Sequence, residues 1–213
     1  MALAVESDLD DPGTNPASHP ARRSNLNSPA VIAAVLLVVY FLLSGLLNES
    51  GYLGTDTGGK VATLEASNLA GEWTPDLGYW AEDQDPDGSL YPFFGTRRLE
   101  SGWVNVTSIP MPYLAQPLYN AGGLRLALLI PMLGAIAASL GAGALARRFG
   151  DPDGVLVTWV IGLGSPMLVY ALDFWEHSLG VGAMTVAIVL TVDASRAKGG
   201  WAQACAAGLL FAL

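Results

Sequence analysis

The chain has 213 residues, of which 52% are hydrophobic and 14% are charged, and its formal net charge at pH 7 is −9. Soluble domains carry roughly a quarter of charged residues, and the apolar residues here are concentrated in blocks, a pattern typical of membrane proteins. The negative charge excludes a nucleic-acid-binding surface, since phosphate binding needs clustered Lys and Arg, and the single cysteine excludes an internal disulfide framework.

Five apolar blocks predict membrane-spanning helices, each of which needs about 20 apolar residues to cross a bilayer. The blocks cover residues 30–47, 124–145, 155–172, 179–192 and 201–213. The last block stops without a polar flank, so we expect it to be the start of a fifth span. The sequence therefore predicts an all-α, polytopic transmembrane helix bundle of about five spans, the last truncated. We expect the chain to be the N-terminal part of a longer membrane protein.

Basic residues set the predicted orientation. Residues 1–29, rich in Asp, Pro, Ser and Asn, are expected to form a disordered tail. If the four complete spans cross, the basic residues that flank them fall on one side: Arg22, Arg23, Arg147, Arg148, Arg196 and Lys198. Cytoplasmic loops carry an excess of Lys and Arg. We therefore expect a multi-pass protein of the cell membrane with its N-terminus in the cytoplasm.

Residues 48–123 form the one large extracytoplasmic loop of this topology, and they contain ten acidic residues against three basic ones. Soon after the first predicted span, the stretch GYLGTDTGGKVATL predicts a short helix on the membrane surface that begins near Asp56. Asp56 would then lie at the level of the lipid headgroups. It is either a functional acid or an ordinary N-cap of that helix.

The segment EDQDPDGSLYPF places Asp83, Asp85 and Asp87 before Gly88, which is the pattern that opens a calcium-binding loop. The twelfth position of such a loop normally supplies a bidentate Glu, and here it is Phe94. The segment therefore fits either an incomplete site for Ca²⁺ or another divalent cation, or an acidic turn exposed to solvent.

Arg97 and Arg98 are the adjacent basic pair of the same loop. Arginine binds phosphate groups with bidentate geometry. The pair and Lys60 are therefore candidates for binding a substrate phosphate or a lipid headgroup. The alternative is that the two arginines balance the acids around them.

The stretch ALDFWEHSLG places Asp173, Glu176 and His177 in a short turn, residues 173–178, between the third and fourth predicted spans. A turn needs polar residues, but it does not need two acids, a His and a Trp together. The turn is either a solvated cap or half of an active site. The charge bias places it on the same side as Asp56.

This layout resembles the GT-C class of membrane glycosyltransferases, which includes protein O-mannosyltransferases and aminoarabinose transferases. GYLGTDTGGKVATL stands where that class carries a catalytic acid after its first helix, and DFWEHS stands where its second outer loop carries another acid. The resemblance covers residues 30–213. It implies that the protein transfers a sugar from a polyprenyl-phosphate donor to a protein, lipid or glycan acceptor on the outer face. It also implies that Asp56 is the catalytic base, and that Glu176, Asp173 and His177 act on donor or acceptor.

Two other classes of function fit the layout, namely a multi-pass membrane transporter and a non-catalytic membrane sensor or scaffold. A transporter would place ionisable groups within its spans, whereas the predicted spans nearly lack them. A sensor would use the outer loop as a ligand-binding module, although a loop of this size without disulfides is small for an independent domain.

Overall fold

The computed structural model describes residues 27–48, 56–107, 109–151, 154–196 and 200–211. Of these described residues 68% are helical, and they contain one small sheet. In chain order, the elements of the described residues are α1 (Pro29–Ser44), α2 (Asp56–Ala70), β1 (Thr96–Leu99), β2 (Gly102–Asn105), α3 (Met111–Ala127), α4 (Leu129–Arg148), α5 (Gly154–Gly164), α6 (Met167–Leu172), α7 (His177–Arg196) and α8 (Trp201–Phe211). Residues 1–26 of the predicted tail, including Arg22 and Arg23, lie outside the described residues, as does Lys198.

The central helix of the bundle is α4, and α5 runs antiparallel to it. Gly143 of α4 lies against Gly154 at the start of α5, and Ser139 lies against Gly162 near the end of α5. The Tyr40 hydroxyl of α1 donates a buried hydrogen bond of 2.8 Å to the carbonyl oxygen of Gly162. The chain thus returns through α5 and α6 to the end of the bundle at which α4 begins.

In contrast, α7 runs parallel to α4, and small residues bring the two helices close together. A Cβ atom on Gly134 would lie 2.6 Å from the main chain of Ser178, and one on Gly182 would lie 2.5 Å from the Gly134 carbonyl oxygen. Glycine is therefore needed where the helices meet. At the C-terminal ends of these two helices, Arg148 donates two hydrogen bonds of 2.6 Å to the carboxylate of Asp193.

The prediction of about five spans is wrong. Within the described residues, two helices, α4 and α7, are long and apolar enough to cross a membrane. The other apolar helices, α1, α5 and α8, are shorter. The third predicted span is divided at Ser165 and Pro166 into α5 and α6, because proline has no amide N–H and interrupts helical hydrogen bonding.

The apolar surface of α7 is largely uncovered by protein. In the most apolar 18-residue stretch of α7, 17% of the residues are buried, whereas the corresponding value for α4 is 50%. Val181, Met184 and Ile188 of α7 are exposed. A core helix of a soluble protein is mostly buried, so this exposed surface is compatible with a location in a membrane.

The prediction of an all-α chain is also wrong, because the large loop contains an antiparallel two-stranded sheet. In that sheet Arg98 of β1 lies opposite Trp103 of β2. Asp76 belongs to the segment before the sheet, and its carboxylate accepts hydrogen bonds from the backbone N–H groups of Trp103, at 2.8 Å, and Gly78, at 2.9 Å. The bond from Trp103 links this segment to β2. The strands have four residues each, which is too short for the alternation of apolar and polar residues to identify them.

Between this hairpin and the turn before α7 lies α2. The residues on its buried face are spaced by three or four positions, as one side of a helix requires: Thr57, Lys60, Thr63, Leu64 and Ser67. Gly59 lets β2 approach, since a Cβ atom there would lie 2.6 Å from the Asn105 side chain. This packing directs the first turn of α2 toward the start of α7.

Candidate functional site

The turn between α6 and α7 carries two of the predicted site residues. Asp173 follows α6 in an extended conformation, and its carbonyl oxygen accepts a hydrogen bond of 2.8 Å from the backbone N–H of Trp175. The Glu176 carbonyl oxygen accepts a hydrogen bond of 2.9 Å from Gly180, which forms the first turn of α7. The carboxylates of Asp173 and Glu176 are therefore presented immediately before a long helix.

Two side chains of α2 contact these carboxylates. The Thr57 hydroxyl donates a hydrogen bond of 2.7 Å to Oδ1 of Asp173. The Lys60 ammonium forms an ion pair with Oε2 of Glu176. Residues three apart on a helix lie on the same side, so one side of the first turn of α2 holds both acids of the turn.

The Lys60–Glu176 pair is asymmetric in its exposure to solvent. The Lys60 side chain is 2% exposed and that of Glu176 is 52% exposed. Partial burial alone would raise the pKa of Glu176. Four interactions lower the pKa: the hydrogen bond from Lys60, a hydrogen bond from a main-chain amide, and the charges of Lys60 and His177. Together they exceed the effect of burial, so the pKa of Glu176 lies below its ordinary value. Glu176 is therefore ionised at neutral pH and is a poor proton acceptor.

Asp56 is the first residue of α2 and is exposed. Its backbone oxygen accepts a long hydrogen bond of 3.3 Å from the Thr107 hydroxyl. Among the described residues, no ion pair or hydrogen bond to the Asp56 carboxylate is present. Asp56 directly precedes Thr57 in α2, but successive residues of a helix point in different directions, and Asp56 is exposed whereas Thr57 is buried.

His177 lies in a stack of rings at the start of α7. Its ring is 5.4 Å from that of Tyr170 and nearly parallel to it, and 4.9 Å from that of Trp175. The Trp175 indole nitrogen and the Ser178 hydroxyl are buried without a hydrogen-bond partner in the described part of the chain. A buried donor left unpaired costs about 1–3 kcal/mol, so these two donors are additional candidates for contacting a ligand.

The three predicted phosphate-binding residues are not brought together as one clamp. Lys60 is already paired with Glu176. Arg97 and Arg98 are consecutive residues of β1, so their side chains project from opposite faces of the hairpin. Arg98 forms an ion pair of 2.6 Å with Glu82, whereas Arg97 is exposed.

The acidic segment has a structural role that the sequence pattern does not reveal. The carboxylate of Asp85 accepts hydrogen bonds from the Tyr79 hydroxyl, the Ser89 hydroxyl and the backbone N–H groups of Ser89 and Leu90, at 2.7–3.1 Å. The hydrogen bond from Leu90, followed by that from Tyr79, lowers the pKa of Asp85. Within the described ranges, no group of three or more His, Cys, Asp or Glu residues is arranged to hold a metal ion.

A cavity of about 670 Å³ lies elsewhere in the bundle, among α1, α4, α5 and α7. Its walls are mainly apolar, and Asn27, Arg147 and Thr158 supply polar groups. None of the predicted site residues lines it. The candidate site is therefore defined by the side-chain contacts between α2 and the turn.

No protein-family model, no curated protein and no solved structure matches this chain. Sequence reasoning missed Thr57, Trp175 and Ser178, and it assigned Lys60 to a phosphate instead of to Glu176. The spacing of Thr57 and Lys60 on one side of a predicted helix is the pattern that could have indicated a shared partner.

Proposed function

We propose that this protein is, or is part of, a membrane-bound glycosyltransferase that transfers a sugar from a polyprenyl-phosphate donor to an acceptor on the extracytoplasmic face. The observation that carries the proposal is the docking of the first turn of α2 on the turn before α7. Two side-chain contacts, Thr57–Asp173 and Lys60–Glu176, join segments 116 residues apart. Asp56 begins α2 and directly precedes Thr57, so the docking fixes the helical turn from which this exposed acid projects.

In the proposed reaction, Asp56 removes the proton from an acceptor hydroxyl. The acceptor oxygen attacks the anomeric carbon of the donor sugar, and the bond from that carbon to the phosphate oxygen breaks. Its electron pair leaves with the polyprenyl phosphate, which is a stable anion and needs little help from an acid. A carboxylate base must lie within hydrogen-bond reach of the proton that it removes.

The remaining acids act as positioning groups in this proposal. Glu176 is held as an anion by Lys60, and Asp173 accepts the Thr57 hydroxyl. Both contacts orient α2, and with it Asp56. Because Lys60 and Arg98 each have an acidic partner, Arg97 is the cationic candidate for the donor phosphate and His177 is a candidate hydrogen-bond donor to it, since cations and donors stabilise the leaving anion.

The proposal includes a multi-pass topology with the N-terminus in the cytoplasm. Arg147 and Arg148 end α4, and Arg196 lies at the end of α7. These basic residues lie at the end of the bundle opposite the turn that carries Glu176. An excess of positive charge favours the cytoplasmic side, so the candidate site would face the outer side, where polyprenyl-phosphate sugars are used by the class that the sequence resembles.

The charged residues of α4 and α7 favour this proposal over a transporter. A transport pathway places ionisable groups in the middle of membrane-spanning helices. Here Arg147 and Arg148 lie in the last turn of α4, and Asp193 and Arg196 lie near the end of α7. The acids that the proposal uses all precede a helix or begin one.

The experiment measures release of polyprenyl phosphate from a panel of labelled polyprenyl-phosphate sugars, in membranes that contain the full-length protein. We expect one donor to be consumed, and Asp56→Asn to abolish its consumption at unchanged protein level. Asp83→Asn is the matched control, because it removes an exposed acid of the same loop. Undiminished release by Asp56→Asn would exclude Asp56 as the base, and consumption of no donor by the unaltered protein would exclude the proposed function.

A further inference from the structure

A second candidate binding site lies in the segment that leads into the hairpin, and it does not depend on the proposed sugar transfer. A cavity of about 370 Å³ is lined by four aromatic side chains, Tyr79, Trp80, Tyr91 and Phe93, together with Leu77 and Pro92. None of these residues belongs to the site formed by α2 and the turn before α7. Trp80 is 90% exposed, so one wall of the cavity is open to solvent.

The rings are inclined to one another and form walls. The ring centroids of Tyr79 and Tyr91 are 4.8 Å apart at 41°, and those of Tyr79 and Trp80 are 6.1 Å apart at 61°. The nearly buried Trp103 supports them, at 4.9 Å from Tyr79 and 5.6 Å from Tyr91. The face of an aromatic ring is its electron-rich side, and the rings of Tyr79, Trp80, Tyr91 and Phe93 line one cavity.

The hydroxyl groups of the two tyrosines are already engaged. The Tyr79 hydroxyl donates to Asp85 at 2.7 Å, and the Tyr91 hydroxyl donates to the Gly78 carbonyl oxygen at 2.8 Å. The cavity therefore offers ring faces and few free hydrogen-bonding groups. A neutral sugar needs placed donors and acceptors to fix its orientation, whereas an alkylammonium cation needs mainly ring faces.

The segment of the chain that forms the cavity is strongly acidic. Residues 72–100 contain seven acids and two arginines, a formal net charge of −5, and one of the arginines is paired with Glu82. The hydrogen bond to Asp85, burial and the charges of Asp85 and Asp87 raise the pKa of Tyr79 to about 12. Burial and the charges of Asp76 and Tyr79 raise the pKa of Tyr91 to about 12. A cation is the charge type that this field attracts.

We propose that this aromatic pocket binds a quaternary alkylammonium group of the choline class through cation–π contacts with Tyr79, Trp80 and Tyr91. A cation within about 6 Å of a ring centroid is attracted by the ring face, most strongly by that of tryptophan. The acids around the rings supply the charge complementarity. A free choline-type molecule and the headgroup of a choline lipid present the same chemistry to the pocket.

The test titrates choline into the full-length protein in a maltoside detergent and follows binding by tryptophan fluorescence and calorimetry. We expect saturable binding, and binding of the neutral isostere 3,3-dimethylbutanol that is weaker by about tenfold, since the isostere lacks the cation. Trp80→Leu keeps an apolar side chain and removes the ring face, so we expect it to weaken choline binding by about three- to tenfold. Trp201→Leu is the matched control, since Trp201 is also exposed but lies on α8.

Circular dichroism melts of both variants establish that they are folded. A short-chain phosphocholine lipid and a phosphoglycerol lipid of the same length, both below micelle-forming concentration, then distinguish the two sources. Preference for the phosphocholine lipid over free choline assigns the pocket to a lipid headgroup, and equal binding assigns it to free ligands as well. Equal affinity for choline and its neutral isostere, absence of choline binding, or an unchanged affinity in Trp80→Leu would each overturn the proposal.

Discussion

The ion pair between Lys60 and Glu176 allows a quantitative prediction about the docking of α2. The substitution Glu176→Gln leaves the Lys60 ammonium, which is 2% exposed, without its anionic partner. Breaking a fully buried pair costs about 3–5 kcal/mol, and loss of an exposed pair about 0–1 kcal/mol. Because the Lys60 end is buried and Glu176 is 52% exposed, we expect a loss of about 2 kcal/mol in the free energy of unfolding.

The assay is reversible unfolding of the protein in detergent micelles, followed by circular dichroism, for a double-mutant cycle. Lys60→Met removes the buried charge, so Lys60→Met/Glu176→Gln should be more stable than the sum of the two single losses predicts, by about 1–2 kcal/mol. Glu100→Gln is the control, since Glu100 is exposed. A Glu176→Gln protein as stable as Glu100→Gln, with additive single substitutions, would refute the role of the pair in docking α2.

Three further predictions concern Glu176, Asp85 and Gly134. The pKa of Glu176 is lower in the folded state than its ordinary value of 4.5. Ionised Glu176 therefore contributes its full stabilisation above pH 4.5, and this contribution is lost as the pH falls through the lower pKa of the folded state. Melting temperatures measured against pH should therefore fall less steeply in acid for Glu176→Gln than for the unaltered protein, and identical slopes would contradict this. Asp85→Asn should lower the pKa of Tyr79 from about 12 toward its ordinary value of 10.0, a change that ultraviolet titration of tyrosinate detects. An unchanged titration curve would show that Asp85 does not raise the pKa of Tyr79. Gly134→Ala should destabilise the protein by about 1–3 kcal/mol, because the new methyl group would lie 2.6 Å from the main chain of Ser178. Gly180→Ala is the control and should be neutral or stabilising in the same melts, because no atom lies within 4 Å of a methyl group added there. Equal effects of the two substitutions would contradict the close packing of α4 and α7.

The two motifs of the candidate site could be found in the sequence because each places acidic residues at the end of an apolar block. Their contact could not be derived in the same way. Lys60 and Glu176 are 116 residues apart, and the loop that contains Lys60 offers ten acids as alternative local partners. The choice of Glu176 depends on the tertiary packing of α2, which positions Lys60 by its buried side.

The number of spans was overestimated because hydropathy measures composition and does not detect a break in a helix. The third apolar block has the composition of a span, but Ser165 and Pro166 divide it. A proline in an apolar block does not distinguish the two outcomes, because a kink and a complete break have the same sequence pattern. The physical difference lies in the packing of the flanking segments, of which α6 has only six residues.

The hairpin was missed because its stability comes from outside the strands. The Asp76 side chain and the ring stack on Trp103 hold it in place. Local contacts also account for part of the acidic pattern that resembles a metal-binding loop in sequence. In the fold, Asp85 accepts hydrogen bonds from the chain around it, so part of the acidic pattern serves local structure.

The most direct test of the central claim is the single-turnover rate of sugar transfer by Asp56→Asn relative to the unaltered full-length protein, with saturating donor and equal amounts of folded protein. A general base contributes typically about 10²–10⁴-fold to a rate, and we expect a loss in that range for Asp56→Asn and none for Asp83→Asn. A rate for Asp56→Asn equal to that of the unaltered protein would contradict the assignment of the active site to the start of α2.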